Sequence, residues 1–385
     1  MKLSLSTKIR FDHYNPNDEK GTDTRQSLAD LDYSPLPRVT GRSFAMGVLI
    51  SMGGLIFGYD TGQISGFLEM PDFLKRFSDS HKDGEPAFSD TRSGLIVALL
   101  SIGTLIGALT AAPVADRVGR KFSVSFWSLI VSIGFVIQIA TSHAWYQIMI
   151  GRFIAGLGVG ALSLLVPMYQ AETAPPWIRG ALISTYQLFI TLGIFLAACF
   201  NYGTYEHQRQ SSASWRIVIG LGWIWTLILG LGILMFPETP RYDYRMGRVD
   251  RARETMMKVY GAPAHHYAVH TQLEEIEAKL RAESKIKGNA IQEVFTMFKA
   301  PRMAYRIGVG VTLQALQQLT GANYFFVSHS RSPVGYLLIN CQYYGTTIFA
   351  SVGINNSFVT QMILNGINFG VRNHLRSFVA TIGTD

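Results

Sequence analysis

Apolar residues arrive along this chain in long blocks, not at the alternating or 3.6-residue spacing of a water-soluble core. The blocks 44–68, 93–114, 122–141, 147–169, 181–203 and 216–236 are each close to the ~20 residues with which a helix crosses a bilayer. A polar stretch, 237–303, follows. A seventh block covers 304–326, and an eighth starts near Phe358 and is expected to break at Arg372. The pattern predicts an all-α, multi-pass membrane protein: six helices, a polar link, and the opening of a second set. Within the link, Leu273, Ile276 and Leu280 recur at i, i+3 and i+7 among Glu274, Glu275, Glu277, Lys279 and Arg281. That spacing predicts a solvated amphipathic pair of helices lying beneath the bundle.

Composition agrees. Only 16% of the 385 residues are charged, against about 25% in soluble domains, and mean hydropathy is +0.19. A secreted disulfide scaffold, a disordered chain and a soluble enzyme are excluded. The formal net charge of +8 does not point to nucleic acid, because the basic residues fall in short loops between apolar blocks. There they set topology through an excess of Lys and Arg on the cytoplasmic side. Lys2, Lys8, Arg10, Lys20, Arg25, Arg38 and Arg42 in the tail, with Arg117, Arg120, Lys121 and Arg179 in later loops, put the N-terminus in the cytoplasm. The tail, residues 1–43, has no early apolar run, so no cleavable leader is expected. Cys199 and Cys341 form no framework and no metal site. With no nucleophile–base pair, metal cluster or phosphate loop, neither an enzyme nor a cofactor is expected.

Several short runs carry more specific chemistry. Asp116-Arg117-Val118-Gly119-Arg120-Lys121 joins the second and third blocks with a tight turn that Gly119 permits. Gly156, Gly158 and Gly160 offer small residues for close helix packing. Asp60 is the acid inside the first block, where a charge costs ~2.5–3.5 kcal/mol on insertion scales, and Arg152 near the start of the fourth is its candidate partner. Gln187, Gln317, Gln318 and Asn323 are amides inside apolar blocks. Each needs partners there, either as helix–helix glue or as contacts to a polar solute. Trp215 and Trp223 read as interface anchors or packing.

The loop 116–121, the run from Gly151-Arg152 through Glu172 to Arg179, Pro237-Glu238-Thr239-Pro240-Arg241, and Gln317-Gln318-Leu319-Thr320-Gly321-Ala322-Asn323 occur in order. Together they resemble the sugar porter branch of the major facilitator superfamily, fungal-type, over residues 44–371. The resemblance implies a complete N-terminal six-helix bundle (44–236), a cytoplasmic helical linker (237–303) and an incomplete C-terminal bundle (304–371). It implies a hexose, glucose-like, as the small-molecule partner, bound by Thr61, Gln187, Ile190, Ile194, Gln317, Gln318, Asn323 and Asn365. Asp60 and Arg152 become the proton-coupling pair of a symporter, although uncoupled facilitators of the family also carry such an Asp. Asp116, Arg117, Arg120, Glu172, Arg179, Glu238 and Arg241 become gating salt bridges at the cytoplasmic helix ends. A multi-pass position in the plasma membrane follows.

The chain departs from that pattern twice. In the family a Tyr-Tyr pair follows the seventh-helix Asn closely. Here residues 327–342, including Arg331 and Pro333, intervene before Tyr343-Tyr344. After Val371 the resemblance ends, leaving 372–385 as a tail outside it. Both departures can begin with intron-like codons, so two retained introns are expected. A chain so shortened should not transport. A sugar sensor of the same fold, or a fragment that associates with other sugar porters, are the competing readings.

Overall fold

The computed structural model describes residues 31–37, 39–82, 85–142, 144–284, 303–319 and 357–382. The chain divides into two compact units. Residues 47–170, 180–236 and 314–385 belong to one, and residues 1–46, 171–179 and 237–313 to the other.

In chain order, α1 (Gly41–Phe67) leads to a short α2 (Pro71–Phe77) and a two-stranded antiparallel hairpin of β1 (Ser80–Lys82) and β2 (Glu85–Ala87), in register Ser80 to Ala87. Then come α3 (Asp90–Val118), α4 (Arg120–Ile139), α5 (Trp145–Thr173), α6 (Arg179–Gln208) and α7 (Ala213–Gly232), the last continued by a 3-10 turn over Ile233–Met235. Among the described residues six helices, α1 and α3 to α7, are long and apolar enough to cross a membrane. Their faces are sorted inside out. On α4, Phe122, Phe126, Leu129, Ile133 and Val136 are exposed at alternating spacings of four and three, while Ser123, Ser128 and Ser132 are buried. On α3, Leu105 and Leu109 are 62% and 70% exposed. In hydrocarbon the outward face needs only apolar atoms, and polar groups must find partners within the bundle.

Small residues set how closely these helices approach. A Cβ on Gly58 of α1 would lie 1.9 Å from the Ile190 carbonyl oxygen of α6. On α5, Cβ atoms at Gly156 and Gly160 would meet the Leu100 and Thr104 carbonyls of α3, and one at Gly158 the Trp127 carbonyl of α4. The small-residue stripe of α5 thus touches two neighbours at once. Gly119 takes φ 103° between α3 and α4, a backbone conformation that a side chain would strain.

Beyond α1, Phe67, Phe73, Phe77, Phe88 and Trp215 form an aromatic cluster with ring centroids 4.9–5.9 Å apart. Trp215 is fully buried there and its Nε1 donates to Asp72 Oδ2 at 3.2 Å, so it packs and does not sit at a lipid interface. Ser89 caps α3 by accepting from the Arg92 amide, and Asp79 in turn accepts from the Ser89 amide and hydroxyl at 2.9 and 2.6 Å. Those bonds hold the Asp79 carboxyl below the usual carboxylate range.

In the other unit, α8 (Pro240–Arg245), α9 (Val249–Tyr260) and α10 (Tyr267–Ser284) pack together. The expected pair of helices is a trio. Thr239 caps α8 and Pro240 occupies its first turn, where a missing N–H costs nothing. Leu273 and Leu280 are buried. The polar tail is anchored to this trio. Asp32 bridges to His266 in parallel register, and Thr40 Oγ1 donates to the Val259 carbonyl at 2.7 Å.

Two further helices are α11 (Met303–Leu319) and α12 (Ser357–Ile382). α12 lies on α6 through Tyr205–Phe358 and Phe195–Phe369 ring stacking, with centroids 4.2 and 6.2 Å apart. It runs without interruption through residue 372, which corrects the expected break. Arginine has good helix propensity, and a charge in an apolar segment penalises insertion, not the helical backbone. Residues 327–342 lie outside the described residues.

Gly58→Ala should lower stability in detergent by about 1–3 kcal/mol, the usual cost of overpacking, read as a drop in unfolding temperature. Gly220→Ala, where an added Cβ meets nothing within 4 Å, should leave it unchanged. Because the Asp79 carboxyl is held low, its support of the α3 cap is present above the ordinary carboxylate range and lost as pH falls through the lowered value. Protection of the Ser89 amide, relative to its intrinsic exchange rate at each pH, should therefore fall in acid, and should already be lost at neutral pH in Asp79→Ala.

Candidate functional site

The sequence Phe57-Gly58-Tyr59-Asp60-Thr61-Gly62-Gln63 lies in the C-terminal half of α1, and helical spacing puts Asp60 and Gln63 on one face. Asp60 and Arg152 of α5 are fully buried, with Arg152 Nη1 3.7 Å from Asp60 Oδ1. Gln63 Nε2 donates to the same Oδ1 at 2.8 Å. From α6, Asn201 Nδ2 donates to the Gln63 carbonyl at 3.2 Å. Tyr59 OH reaches α7 and donates to the Val218 carbonyl at 2.8 Å. The Arg152 guanidinium lies 5.8 Å from the Phe67 ring centre, over its face. Four helices thus converge on one buried charge pair.

The pair is incompletely satisfied by protein. Among the described residues, Asp60 Oδ2, Gln63 Oε1, Asn201 Oδ1 and all three guanidinium nitrogens of Arg152 have no hydrogen-bond partner. A buried charge without its partner is costly. The pair therefore couples the positions of α1 and α5 through a contact whose strength depends on the charge of Asp60. A second polar contact between these helices, Gln170 Nε2 to Ser51 Oγ at 2.8 Å, is neutral.

The other expected sugar-contact residues that are described lie on α1, α6, α11 and α12. Thr61 is buried and its hydroxyl donates to the Phe57 carbonyl at 2.9 Å. On α6, Gln187 is exposed, Ile190 half-buried, and Ile194 buried where the helix crosses Gly62. Asn365 is buried on α12. Gln317 and Gln318 lie in the last turn of α11, and Asn323 lies outside the described residues. Asp116 pairs with Arg120 at 3.1 Å, one turn apart across Gly119, and Arg117 is exposed beside them. In the other unit, Glu172 accepts from the Thr239 hydroxyl at 2.7 Å and Glu238 from the Thr239 amide at 2.9 Å. Arg179 donates to Gln272 Oε1 at 3.3 Å, and Arg241 lies in the first turn of α8.

Sequence reasoning missed Gln63, Asn201 and Thr239. The signal for Gln63 was an amide one turn after the buried acid. For Thr239 it was a capping residue directly before a proline. Nothing local marks Asn201, whose partner is 138 positions away.

Six membrane-length helices, two of them joined by a buried ion pair, make this a multi-pass membrane protein, and its fold is that of the major facilitators. The family described as "Sugar (and other) transporter" matches residues 46–382, and the chain belongs to it. That match continues past residue 371, where the resemblance was expected to end. Over 323 residues the chain is 42% identical to the low-affinity glucose transporter HXT1 of Saccharomyces cerevisiae, covering 84% of this chain and 53% of that one. It is 37% identical over 330 residues to the high-affinity fructose transporter ght6 of Schizosaccharomyces pombe, covering 85% and 58%. The chain thus spans about half the length of the curated relatives it matches. Among solved structures, the proton:xylose symporter XylE bound to 6-bromo-6-deoxy-D-glucose aligns with TM-score 0.71 at 25% identity, covering 88% of this chain and 69% of that one. A partially occluded inward-open form of XylE from E. coli aligns with TM-score 0.65 at 25% identity, covering 85% and 71%.

Removing one partner of the buried pair should be worse than removing both charges. Arg152→Leu should destabilise by about 3–5 kcal/mol, the usual cost of stranding a buried charge. Adding Asp60→Asn should recover most of that loss, and a double-mutant cycle on thermal unfolding reads the coupling.

Proposed function

We propose that the chain carries the six-helix, sugar-contacting part of a hexose transporter that works by alternating access, with movement of the sugar coupled to a proton on Asp60. The observation that carries this reading is the fully buried Asp60–Arg152 pair in a member of the sugar transporter family. The relatives' names include glucose and fructose transporters, and a structural neighbour is a proton:xylose symporter. In this reading residues 44–236 form the N-terminal bundle, 237–303 the link and 304–371 the opening of the second bundle.

A hexose presents a ring of hydroxyls around one apolar face. Neutral donor–acceptor side chains suit the first, and Thr61, Gln187, Gln317, Gln318, Asn323 and Asn365 supply that chemistry. Ile190 and Ile194 supply apolar surface for the second. Neutral amides match hydroxyls without the desolvation cost that a charged contact would add. When Asp60 takes a proton its charge vanishes and the attraction of Arg152 falls, so α1 and α5 are freer to shift. When the proton leaves, the pair closes again. Asp116, Arg117, Arg120, Glu172, Arg179, Glu238 and Arg241 act at helix ends, where ion pairing worth a few kcal/mol biases a two-state rocking equilibrium. The protein works in the plasma membrane with its N-terminus inside.

The test is uptake of labelled 6-deoxyglucose, which cells cannot phosphorylate, in yeast lacking their own hexose carriers. A membrane potential of ~100 mV is worth ~2.3 kcal/mol per charge, so one coupled proton supports accumulation of roughly fifty-fold. The expected result for the full-length form is accumulation that an uncoupler abolishes, falling to simple equilibration in its Asp60→Asn variant, while the 385-residue chain alone gives no uptake. Uptake without accumulation by the full-length form would replace symport by facilitated diffusion, and uptake by the 385-residue chain alone would overturn the expectation that the shortened chain does not transport.

A further inference from the structure

The two oxygens of the Asp60 carboxylate are not equivalent. Oδ1 accepts from Gln63 Nε2 at 2.8 Å and faces Arg152 Nη1 at 3.7 Å. Oδ2 has no hydrogen-bond partner among the described residues. Gln63 is fully buried one turn along the same helix, and its own backbone carbonyl accepts from Asn201 Nδ2. Asn201 is wedged against Gly66, where an added Cβ would lie 2.2 Å from the Asn201 amide carbon and nitrogen. The amide that contacts Asp60 therefore belongs to a turn of α1 that α6 holds in place.

We propose that Gln63 is a positioning residue for Asp60: its amide pins Oδ1 beside Arg152 and directs proton uptake to Oδ2. The inference rests on the reading of Asp60 as a proton carrier. In the ionised state the Gln63 N–H and the Arg152 guanidinium both stabilise negative charge at Oδ1. On protonation an O–H bond forms at Oδ2, the C=O bond localises at Oδ1, and the donor of the proton leaves with the electron pair. The ion pair to Arg152 then weakens, while the Gln63 N–H still has an acceptor. Gln63 thus keeps the neutral carboxyl in the orientation from which it can re-form the ion pair. The groups around it allow this assignment. Arg152 on α5 is the charged group facing Asp60, α6 contributes the neutral Asn201, and the neighbouring Tyr59 is engaged by the Val218 carbonyl of α7.

The experiment is infrared difference spectroscopy of the purified 385-residue chain in lipid nanodiscs, titrated with pH and compared with Asp60→Asn to identify the protonated Asp60 carbonyl band. Gln63→Met keeps the length of the side chain and removes the donor. The expected result has two parts. The band should shift to higher frequency, because the carbonyl at Oδ1 has lost its hydrogen bond. Its midpoint should move by about one unit to higher pH, a roughly tenfold gain in proton affinity. A merely structural Gln63 would move neither. An unchanged frequency and midpoint in Gln63→Met overturns the assignment while leaving Asp60 a titrating group. A band that persists in Asp60→Asn overturns the proton-carrier reading and this inference with it. Should Gln63→Met not fold, Gln63→Glu serves. It supports the assignment if proton release splits into two coupled steps, and a single unshifted step overturns it.

Discussion

Gly58 lies so close to α6 that a Cβ there would fall 1.9 Å from the Ile190 oxygen, and the polar interior depends on approaches of this kind. Lipid tails are as apolar as leucine, so helices in a bilayer gain little by hiding apolar surface from one another. What remains is van der Waals contact and hydrogen bonding, and both require near approach. The glycines of α5 place its backbone against α3 and α4 in the same way. With larger residues at these positions the helices would part, and a short side chain such as that of Asn201 could no longer reach from α6 to the Gln63 backbone carbonyl on α1.

That closeness lets the bundle hold a charge. Asp60 and Arg152 sit in full burial with one electrostatic contact and several donors and acceptors left over. A maximally stable pair would be bidentate and fully hydrogen-bonded. This one is longer than a hydrogen bond and shares its oxygen with Gln63. Such a contact holds two helices while the acid is ionised and loosens when it is neutral, which suits a coupling element better than a structural staple. The neutral Gln170–Ser51 contact between the same helices carries no such dependence.

The second unit is organised by capping and docking. Thr239 starts α8, accepts from the Tyr242 amide and donates to Glu172, so one side chain serves a helix start and an acid in the last turn of α5. Gly261 ends α9 with φ 67°, and its missing Cβ leaves room for Thr40 of the tail. The tail is therefore part of the packed structure from residue 31 onward, a fact its polar composition concealed.

The length and apolarity of the blocks fixed the membrane class, six helices and, within three residues, where each begins, because a bilayer imposes both on each segment independently of the others; the ends of α3, α5 and α6 lie four or five residues further on. The sequence also exposed Asp60, Arg152 and the small-residue stripe of α5, since a charge or a run of glycines in an apolar block is visible without a partner. Arg372 misled for the same reason: its charge was legible, but the continuity of α12 depends on local backbone hydrogen bonds that a charge does not interrupt. Packing in three dimensions was needed to see that Trp215 packs instead of facing lipid, that the tail straps onto the link helices, and that Gln63 and Asn201 complete the charged site. Apart from the local Gln63–Asp60 bond, those facts rest on contacts between residues more than a hundred positions apart, with partners such as Asp72, Val259 and Gln63. Local periodicity carries the face a residue occupies, but it carries nothing about which residue of another helix will stand opposite.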